Sequence, residues 1–405
     1  MKTVAIISEY NPFHNGHLYQ IEKIREEFGR DTAIIAIMSG SVTQRGELAI
    51  LDKWKRAEMA VECGVNLVVE LPFPYSSSSA EFFARAGVAI ASYLGVVDTL
   101  SFGSECGDVN LLTEIAKNMS TDNFKAELFS VCASDELSAI GYPKACELAY
   151  NSVFKAPLAH NFFTSNNLLA LEYIKALITL KSTLTPHTVL RDGGGYLEEK
   201  IVDSPRQSAT AIRSILKTDI NSASKYIPSN VLNTVLSEYS AQRAPASLDA
   251  LSNLIISNLC LNPATRARDI HDAGGGLYNR IKNASFDATS ISSLIESGAT
   301  KKYTTARIRR AIINSHFGVT SSDVKELPRY TQVLAMDTVG QSLLKKAKKM
   351  STLELLTKPS VIPKDEIAKK QKHLADTADM TFQLARPVPL PQSYAFRVSP
   401  FVKKQ

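Results

Sequence analysis

Cysteine, histidine and tryptophan are scarce here, five, seven and one among 405 residues, and each scarcity excludes something. Cys63, Cys106, Cys132, Cys146 and Cys260 form no CxxC pair and no spacing that suits zinc, and an odd number closes no disulfide framework. They read as small apolar residues in a reducing compartment. No apolar run approaches the ~20 residues a bilayer-crossing helix needs, so no membrane span is expected. No G-x-G-x-x-G follows the first apolar segment, which disfavours a dinucleotide-binding dehydrogenase, and no H-E-x-x-H helix offers a zinc site. "MKTVAIISEYNP" has one lysine, a brief apolar run and no small-residue cleavage site, and reads as the first strand of a cytoplasmic protein.

With 44% hydrophobic and 21% charged residues the composition is globular, and the length calls for two domains. The net charge of +6 is unevenly spread. Residues 1–200 carry 17 basic and 24 acidic side chains, a net of −7, while residues 201–405 carry 29 and 16, a net of +13. A surplus of that sign fits a polyanionic partner, although solvated helix faces account for part of it.

Apolar segments and amphipathic ones alternate through the first half. Lys2 to Ser8, Ala33 to Met38, Asn66 to Leu71 and Val96 to Phe102 read as strands, with helices from about Leu18, after Asp52, and from Ala80 to Tyr93. Strands apolar throughout imply a parallel sheet covered on both faces, an α/β, Rossmann-like domain over residues 1–221. Its ligand belongs at the carboxyl ends of the strands, where the His14 loop, the Gly40 to Gly46 loop and the Phe102-Gly103-Ser104 turn should share one crevice. From about Ser222 the β signals fade, and residues 222–405 read as a basic, mainly α-helical region. Its "RPVPLPQ" stretch is expected to be an extended, loosely held tail.

Two of the seven histidines flank an Asn-Gly pair in "HNGH", His14 to His17, at the start of the first helix. A helix start has N–H groups without intrahelical partners and attracts phosphate. Gly16 permits close backbone approach, and the imidazole N–H groups of His14 and His17 can stabilise the charge on a departing pyrophosphate. Capping or surface histidines are the alternative, and the position after a first strand favours the nucleotide reading. In "QSATAIRSIL" (Gln207 to Leu216), Ser208 or Thr210 can cap a second helix that receives an anion, with Arg213 supplying a charged fork.

The H-x-G-H after a first strand resembles the signature of the HxGH nucleotidyltransferase superfamily, and "SATAIR" resembles its SSTxIR element. "SEYNPFHNGH", "MSGSVTQRGELAILDKWKRAEMAVECGVNLVVELPFPYSSSSAEFFARAGV", "LSFGSECGD", "NNLLALEYIKAL", "GGLYNRI", "TKKYTTARIRRAIIN" and "LPRYTQVLAMDTVGQSLL" together resemble the tRNA(Met) cytidine acetate ligase family. The likeness is weakest from Ser351 onward. Four places depart from the pattern: Gly40-Ser41-Val42-Thr43 before Gln44, Asn66 for an Asp, Thr164-Ser165 for a Pro, and Gly274 for a Glu.

The resemblance implies a nucleotidyltransferase fold in the first domain and an ATP site built from Ile7, Ser8, Glu9, Tyr10, Asn11, Pro12, Phe13, His14, Asn15, Gly16, His17, Leu18, Tyr19 and Gln20. Gly103, an Asn of the pair Asn166 and Asn167, Arg191, and Ser208, Thr210 and Arg213 join them. His14 and His17 are the catalytic pair. ATP is a substrate, Mg2+ accompanies it, and no protein metal site is expected. The implied partners are acetate and elongator tRNA(Met), whose wobble cytidine (C34) receives the acetyl group at N4 by way of acetyl-adenylate.

Gly103, the Asn pair and Arg191 also have plainer readings as a turn glycine, a capping Asn and a surface Arg. Arg45, Lys53 and Arg56 can face pyrophosphate or RNA, or simply solvent, and Trp54 is expected between domains. In "KKYTTARIRR", Lys301, Lys302, Arg307, Arg309 and Arg310 with Tyr303 form a candidate RNA-binding face, to which "KKAKK" (Lys345 to Lys349) adds charge. A small-molecule adenylyltransferase and a non-catalytic RNA-binding protein are the rival readings. The sequence sets no oligomeric state.

Overall fold

The computed structural model describes residues 1–133, 140–155, 158, 161–191, 207–261, 269–300 and 303–404. The first half alternates as its sequence pattern requires: β1 (Thr3–Ser8), α1 (Asn15–Phe28), β2 (Ala33–Ser39), α2 (Lys53–Glu62), β3 (Leu67–Leu71), α3 (Ala80–Tyr93) and β4 (Thr99–Ser104). Four helices follow, α4 (Val109–Met119), α5 (Asp122–Ala133), α6 (Tyr142–Phe154) and α7 (Ser165–Thr179), and then β5 (Thr185–Leu190). The order β5-β4-β1-β2-β3 is parallel throughout. Phe102, Gly103 and Ser104 lie inside β4 rather than in a turn after it, paired with Thr188, Val189 and Leu190 of β5. β5 carries Pro186, which an edge strand tolerates because one of its sides needs no donor.

Successive strand residues point to opposite faces, and both faces are covered. Ala5, Ile35, Ile37 and Val69 belong to the core under α3, α4 and α7. Val4, Ile6, Ile34, Ala36 and Val68 pack on the other side against Ile21 and Ile24 of α1 and Ala57, Ala60 and Val61 of α2.

The second half supplies α8 (Ala209–Thr218), α9 (Ser229–Ser240), α10 (Ser252–Leu261), α11 (Leu277–Ser285), α12 (Ile291–Gly298), α13 (Thr305–Phe317) and α14 (Ser321–Lys325). It then returns to the sheet. β6 (Tyr330–Met336) runs antiparallel beside β3, followed by α15 (Thr338–Met350), β7 (Glu354–Leu356), α16 (Glu366–Leu384) and β8 (Phe401–Val402), with β7 and β8 both pairing with β6. The sheet therefore takes strands from both sides of position 221, where β signals were expected to have ended.

Nor is the proline-rich tail loose. Arg386 is 2% exposed and donates to Asp52 at 3.0 Å and to the Arg243 carbonyl at 3.0 Å. The Leu390 N–H bonds the Gln383 carbonyl at 3.1 Å, and β8 ends the chain in the sheet. Prolines remove donors, but the carbonyls and the guanidinium between them suffice to dock the segment. Asn66, which replaces a carboxylate, accepts from the Ile34 N–H at 2.8 Å and donates to Asp337 at 2.8 Å, a double role that an ionised Asp has no proton to play.

Candidate active site at the heads of three helices

His14 is the N-cap of α1. Its Nδ1 accepts from the Gly16 backbone N–H at 3.1 Å, and its own backbone N–H donates to His17 Nδ1 at 3.2 Å, a reciprocal capping box made of two imidazoles. Because both Nδ1 atoms accept, each neutral ring carries its proton on Nε2. The rings stack with centroids 3.7 Å apart at 27°. Burial, then the charges of Arg191 and Arg213, push His14 down to about 3. His17 is held well below the usual range by burial, by His14 and by Arg191. Two neutral Nε2–H donors result. Gly16 makes room for this pair, since a Cβ there would lie 2.9 Å from His14 Cε1.

A second helix start faces the same space. Ser208 caps α8 by accepting from Ala211 N–H at 3.1 Å, whereas Thr210 accepts from Arg213 at 3.2 Å. Arg213 also donates to the Asn11 carbonyl at 3.1 Å. A third start comes from α13, whose Thr304, Thr305 and Ala306 line the cavity with Arg309 and Arg310. The loop after β2 reaches it from below: Gln44 N–H donates to Glu9 at 2.8 Å, and Glu47 pairs with Arg309 at 2.6 Å and faces Arg213 at 3.5 Å. Gly46, at φ +71°, lets this loop touch α13, because a Cβ would sit 2.6 Å from Arg310 N. Burial raises the Glu9 carboxyl above its usual range, although the Gln44 N–H and Arg213 pull it down.

These elements enclose a cavity of about 610 Å³, within the range of ligand sites. Of the expected ATP residues, Ile7, Ser8, Glu9, Tyr10, Asn11, His14, His17, Gln20, Gly103, Asn166, Arg191, Thr210 and Arg213 line it. The remainder support it from behind. Phe13 is fully buried against Tyr10 and His17, with ring centroids 4.9 and 5.4 Å away, and Pro12 is buried beside it. Asn15 ties the start of α1 to the carbonyls of Tyr226 and Lys225. Leu18 packs into the core, and Tyr19 lies under Lys23.

Asn167 is structural: its carbonyl oxygen accepts from the N–H groups of Glu105 and Cys106, and its amide donates to Phe162 O. Asn166 commits an N–H to Glu105 at 2.6 Å. Gly103 has a different use from the one expected, for a Cβ there would come within 3.0 Å of the Arg191 stem. Its bareness gives Arg191 a lane across β4. The "DGGGY" loop after it lies outside the described residues.

The basic stretch departs most from expectation. Tyr303 is 8% exposed, its hydroxyl donates to the Gly275 carbonyl, and Arg307 lies over its ring, so the ring is no open platform for a base. Arg307 donates to the carbonyls of Asp272 and Gly274, and Arg310 pairs with Asp272 at 2.6 Å. An RNA-binding face was expected; Glu47 pairs with Arg309 and Asp272 with Arg310, so these charges are met within the protein. Lys301 and Lys302 lie outside the described residues.

Neither Lys53 nor Arg56 faces solvent or the cavity. Arg56 is completely buried and donates to the carbonyls of Leu51, Glu9, Ser39 and Gly40, stitching the two crevice loops together. Lys53 bonds Glu70 and Asp379. Trp54 is buried in the core beneath α2, while Arg45 does line the cavity.

The crevice also has an apolar wall of Phe83, Phe102, Leu168, Leu169 and Tyr173, with Tyr142 and Pro143, of which only Phe102 was expected there. Its residues look like ordinary core, and only "GYPK", a proline at a helix start, marked anything. Among the described residues no three His, Cys, Asp or Glu side chains gather to hold a metal, and no helix is long and apolar enough to cross a membrane.

The sequence matches the family described as HIGH Nucleotidyl Transferase over residues 1–394. A tRNA(Met) cytidine acetate ligase of Thermoanaerobacter sp. (strain X514) is 36% identical over 364 residues, 89% of each chain. That of Acetivibrio thermocellus is 36% identical over 394 residues, 92% of each. Among solved structures, Thermotoga maritima TmcAL bound with alpha-thio ATP superposes with a TM-score of 0.89 at 27% identity, covering 99% of both chains.

Proposed function

Because the chain belongs to the HIGH nucleotidyl transferases, and among them to the tRNA(Met) cytidine acetate ligase family, we propose that the crevice at the three helix heads activates acetate with ATP and passes the acetyl group to N4 of the wobble cytidine, C34, of elongator tRNA(Met). The protein is an ATP-dependent acetate ligase acting on tRNA(Met). An RNA substrate of this kind is met in the cytoplasm.

The single observation that carries the catalytic proposal is the pair of neutral imidazoles with Nδ1 committed and Nε2–H free to donate. An acetate oxygen attacks the α-phosphorus of ATP, and the bond to the bridging oxygen of the β-phosphate breaks. His14 and His17 donate to the leaving pyrophosphate together with Arg213 and the start of α8. Donors that are buried and already oriented need little rearrangement as charge builds. The mixed anhydride is then attacked by the cytidine N4 amine: a C–N bond forms, the acyl C–O bond breaks, AMP leaves, and the amine loses a proton to solvent.

Activation is required because a free carboxylate is a poor acyl donor and the N4 lone pair is drawn into the ring. The wall of Phe83, Phe102, Leu168, Leu169 and Tyr173 suits the adenine and the acetyl methyl group. The residues present do not fit a protein-held Mg2+: Glu47 is taken by Arg309 and Glu9 by the Gln44 N–H. Magnesium would travel on the phosphates.

The test is incubation with ATP and labelled acetate, with and without tRNA(Met). Label in RNA as N4-acetylcytidine is the expected outcome. Label confined to a small adenylate product in the presence of tRNA would overturn the reading in favour of a small-molecule adenylyltransferase.

A further inference from the structure

The basic stretch expected to meet RNA is turned inward by Glu47 and Asp272, which leaves open what holds the body of the nucleic acid. α15 offers an answer. Its buried residues, Gly340, Leu343, Leu344 and Ala347, occupy one side, and at about 100° per residue Lys345, Lys346, Lys348 and Lys349 spread over some 160° of the opposite side. All four are exposed.

On four other helices an exposed lysine is balanced three residues away, Lys23 by Glu26, Lys125 by Asp122, Lys144 by Glu147 and Lys369 by Glu366. Among the described residues the α15 lysines have no acidic partner within ion-pairing distance. Complementing the helix dipole explains Lys348 and Lys349 in the last turn, but not Lys345 and Lys346. The patch is also placed usefully. Met350, next along α15, abuts Gly95 just past α3, and Ala80 and Phe83 at the other end of α3 line the cavity. The 14 residues of α3 separate the two by about 20 Å.

We propose that the exposed lysine face of α15 is a docking surface for the sugar-phosphate backbone of tRNA, gripping the stem while the anticodon loop lies in the crevice. The chemistry is unspecific attraction of phosphates: ammonium groups release counterions from the nucleic acid and set its affinity, not its sequence. This rests on the proposed tRNA substrate.

The experiment uses the full chain with all four lysines changed to Gln, and a companion with all four changed to Arg. Filter binding of tRNA(Met) over a range of NaCl concentrations reads the surface. ATP–pyrophosphate exchange with acetate and no RNA reads the crevice and reports folding. For the Gln variant, tRNA affinity near physiological salt should drop about tenfold or more, and the slope of log affinity against log salt should flatten by about 3. The Arg variant should keep both, and exchange should be unchanged in each. Unaltered affinity and slope in the Gln variant would overturn the docking surface while leaving the ligase reading intact, and would assign the patch to another acidic partner. A wild-type protein that neither binds nor acetylates tRNA would overturn both. Loss of exchange in the Gln variant would make the lysines structural and also overturn it.

Discussion

Glu47 and Arg309 meet at 2.6 Å across the mouth of the crevice, joining the loop after β2 to the N-terminal half of α13. Arg213 approaches the other oxygen of the same carboxylate at 3.5 Å. Without nucleotide, Glu47 thus satisfies two guanidinia that a triphosphate would also seek, and bidentate arginine contacts favour phosphate strongly. The carboxylate is a competitor. Glu47→Gln should tighten ATP binding about three- to tenfold, whereas Arg309→Ala should weaken it by a similar factor or more. Titration calorimetry decides; a Glu47→Gln protein that binds ATP more weakly would mean the carboxylate helps hold the nucleotide.

Capping and catalysis at His14 are separable. Asn is as good an N-cap as any residue, but it lacks an Nε2–H in the position of the imidazole. His14→Asn should therefore keep the thermal midpoint within a few degrees of wild type while lowering the rate of ATP–pyrophosphate exchange about 100- to 1,000-fold. His14→Ala should lose the same activity and also about 1 kcal/mol of stability. Equal activity in His14→Asn and wild type would remove the imidazole from the mechanism.

Acid should loosen the same helix head. In the folded protein burial pushes His14 from its ordinary value of 6.5 down to about 3, and His17 also lies well below 6.5. Between about pH 6.5 and 3 the unfolded chain consequently binds more protons than the folded one, and unfolding free energy falls as pH falls. Each ring contributes a slope of up to about 1.4 kcal/mol per pH unit. Urea unfolding between pH 7.5 and 5 should show that slope, and His14→Asn should remove one ring's share; an unchanged slope in the variant would place the titration elsewhere.

The parts of the site that could be read in the sequence are local ones. A strand, a loop with two histidines around Asn-Gly, and a helix of the right periodicity carry their meaning within 28 residues of the start, and the fold of the first half follows from the same periodicity. What could not be read depends on distant partners. Arg309 points inward because of Glu47, 262 residues away, and nothing in "TTARIRR" distinguishes an inward arginine from a solvated one. β6 looks like a strand in "YTQVLAM", but its surroundings are helical, and only pairing with β3 makes it part of the sheet. Lys53 and Arg56 sit on a helix start where charge ordinarily meets water; Arg56 is buried by the carbonyls of the two crevice loops, and Lys53 is met by Asp379 of α16, which returns from the far end of the chain.

That burial sets up the last prediction. Lys53 lies between two carboxylates, 2.7 Å from Glu70 and 2.5 Å from Asp379, while Ser41 of the crevice loop donates to Asp379 at 2.6 Å. Burial opposes the Lys53 charge, but Asp379 and Glu70 outweigh it and hold the ammonium above the usual lysine range. Burial pushes Glu70 up to about 7 in spite of Lys53, with Asp379 adding to the rise. Lys53→Met would leave both carboxylates buried without their shared cation, at a cost of about 3–5 kcal/mol near neutral pH. Lacking the ammonium, the folded variant should hold the Glu70 proton to still higher pH, whereas the unfolded chain releases it near its ordinary 4.5. More protons on the folded side means that the variant regains stability as pH falls from 8 toward 5. Its deficit against wild type, measured by urea unfolding at pH 5 and pH 8, should shrink on acidification. Because Ser41 loses a fixed partner, ATP affinity should weaken as well. A deficit independent of pH would show that the lysine contributes through packing of its stem and not through its charge.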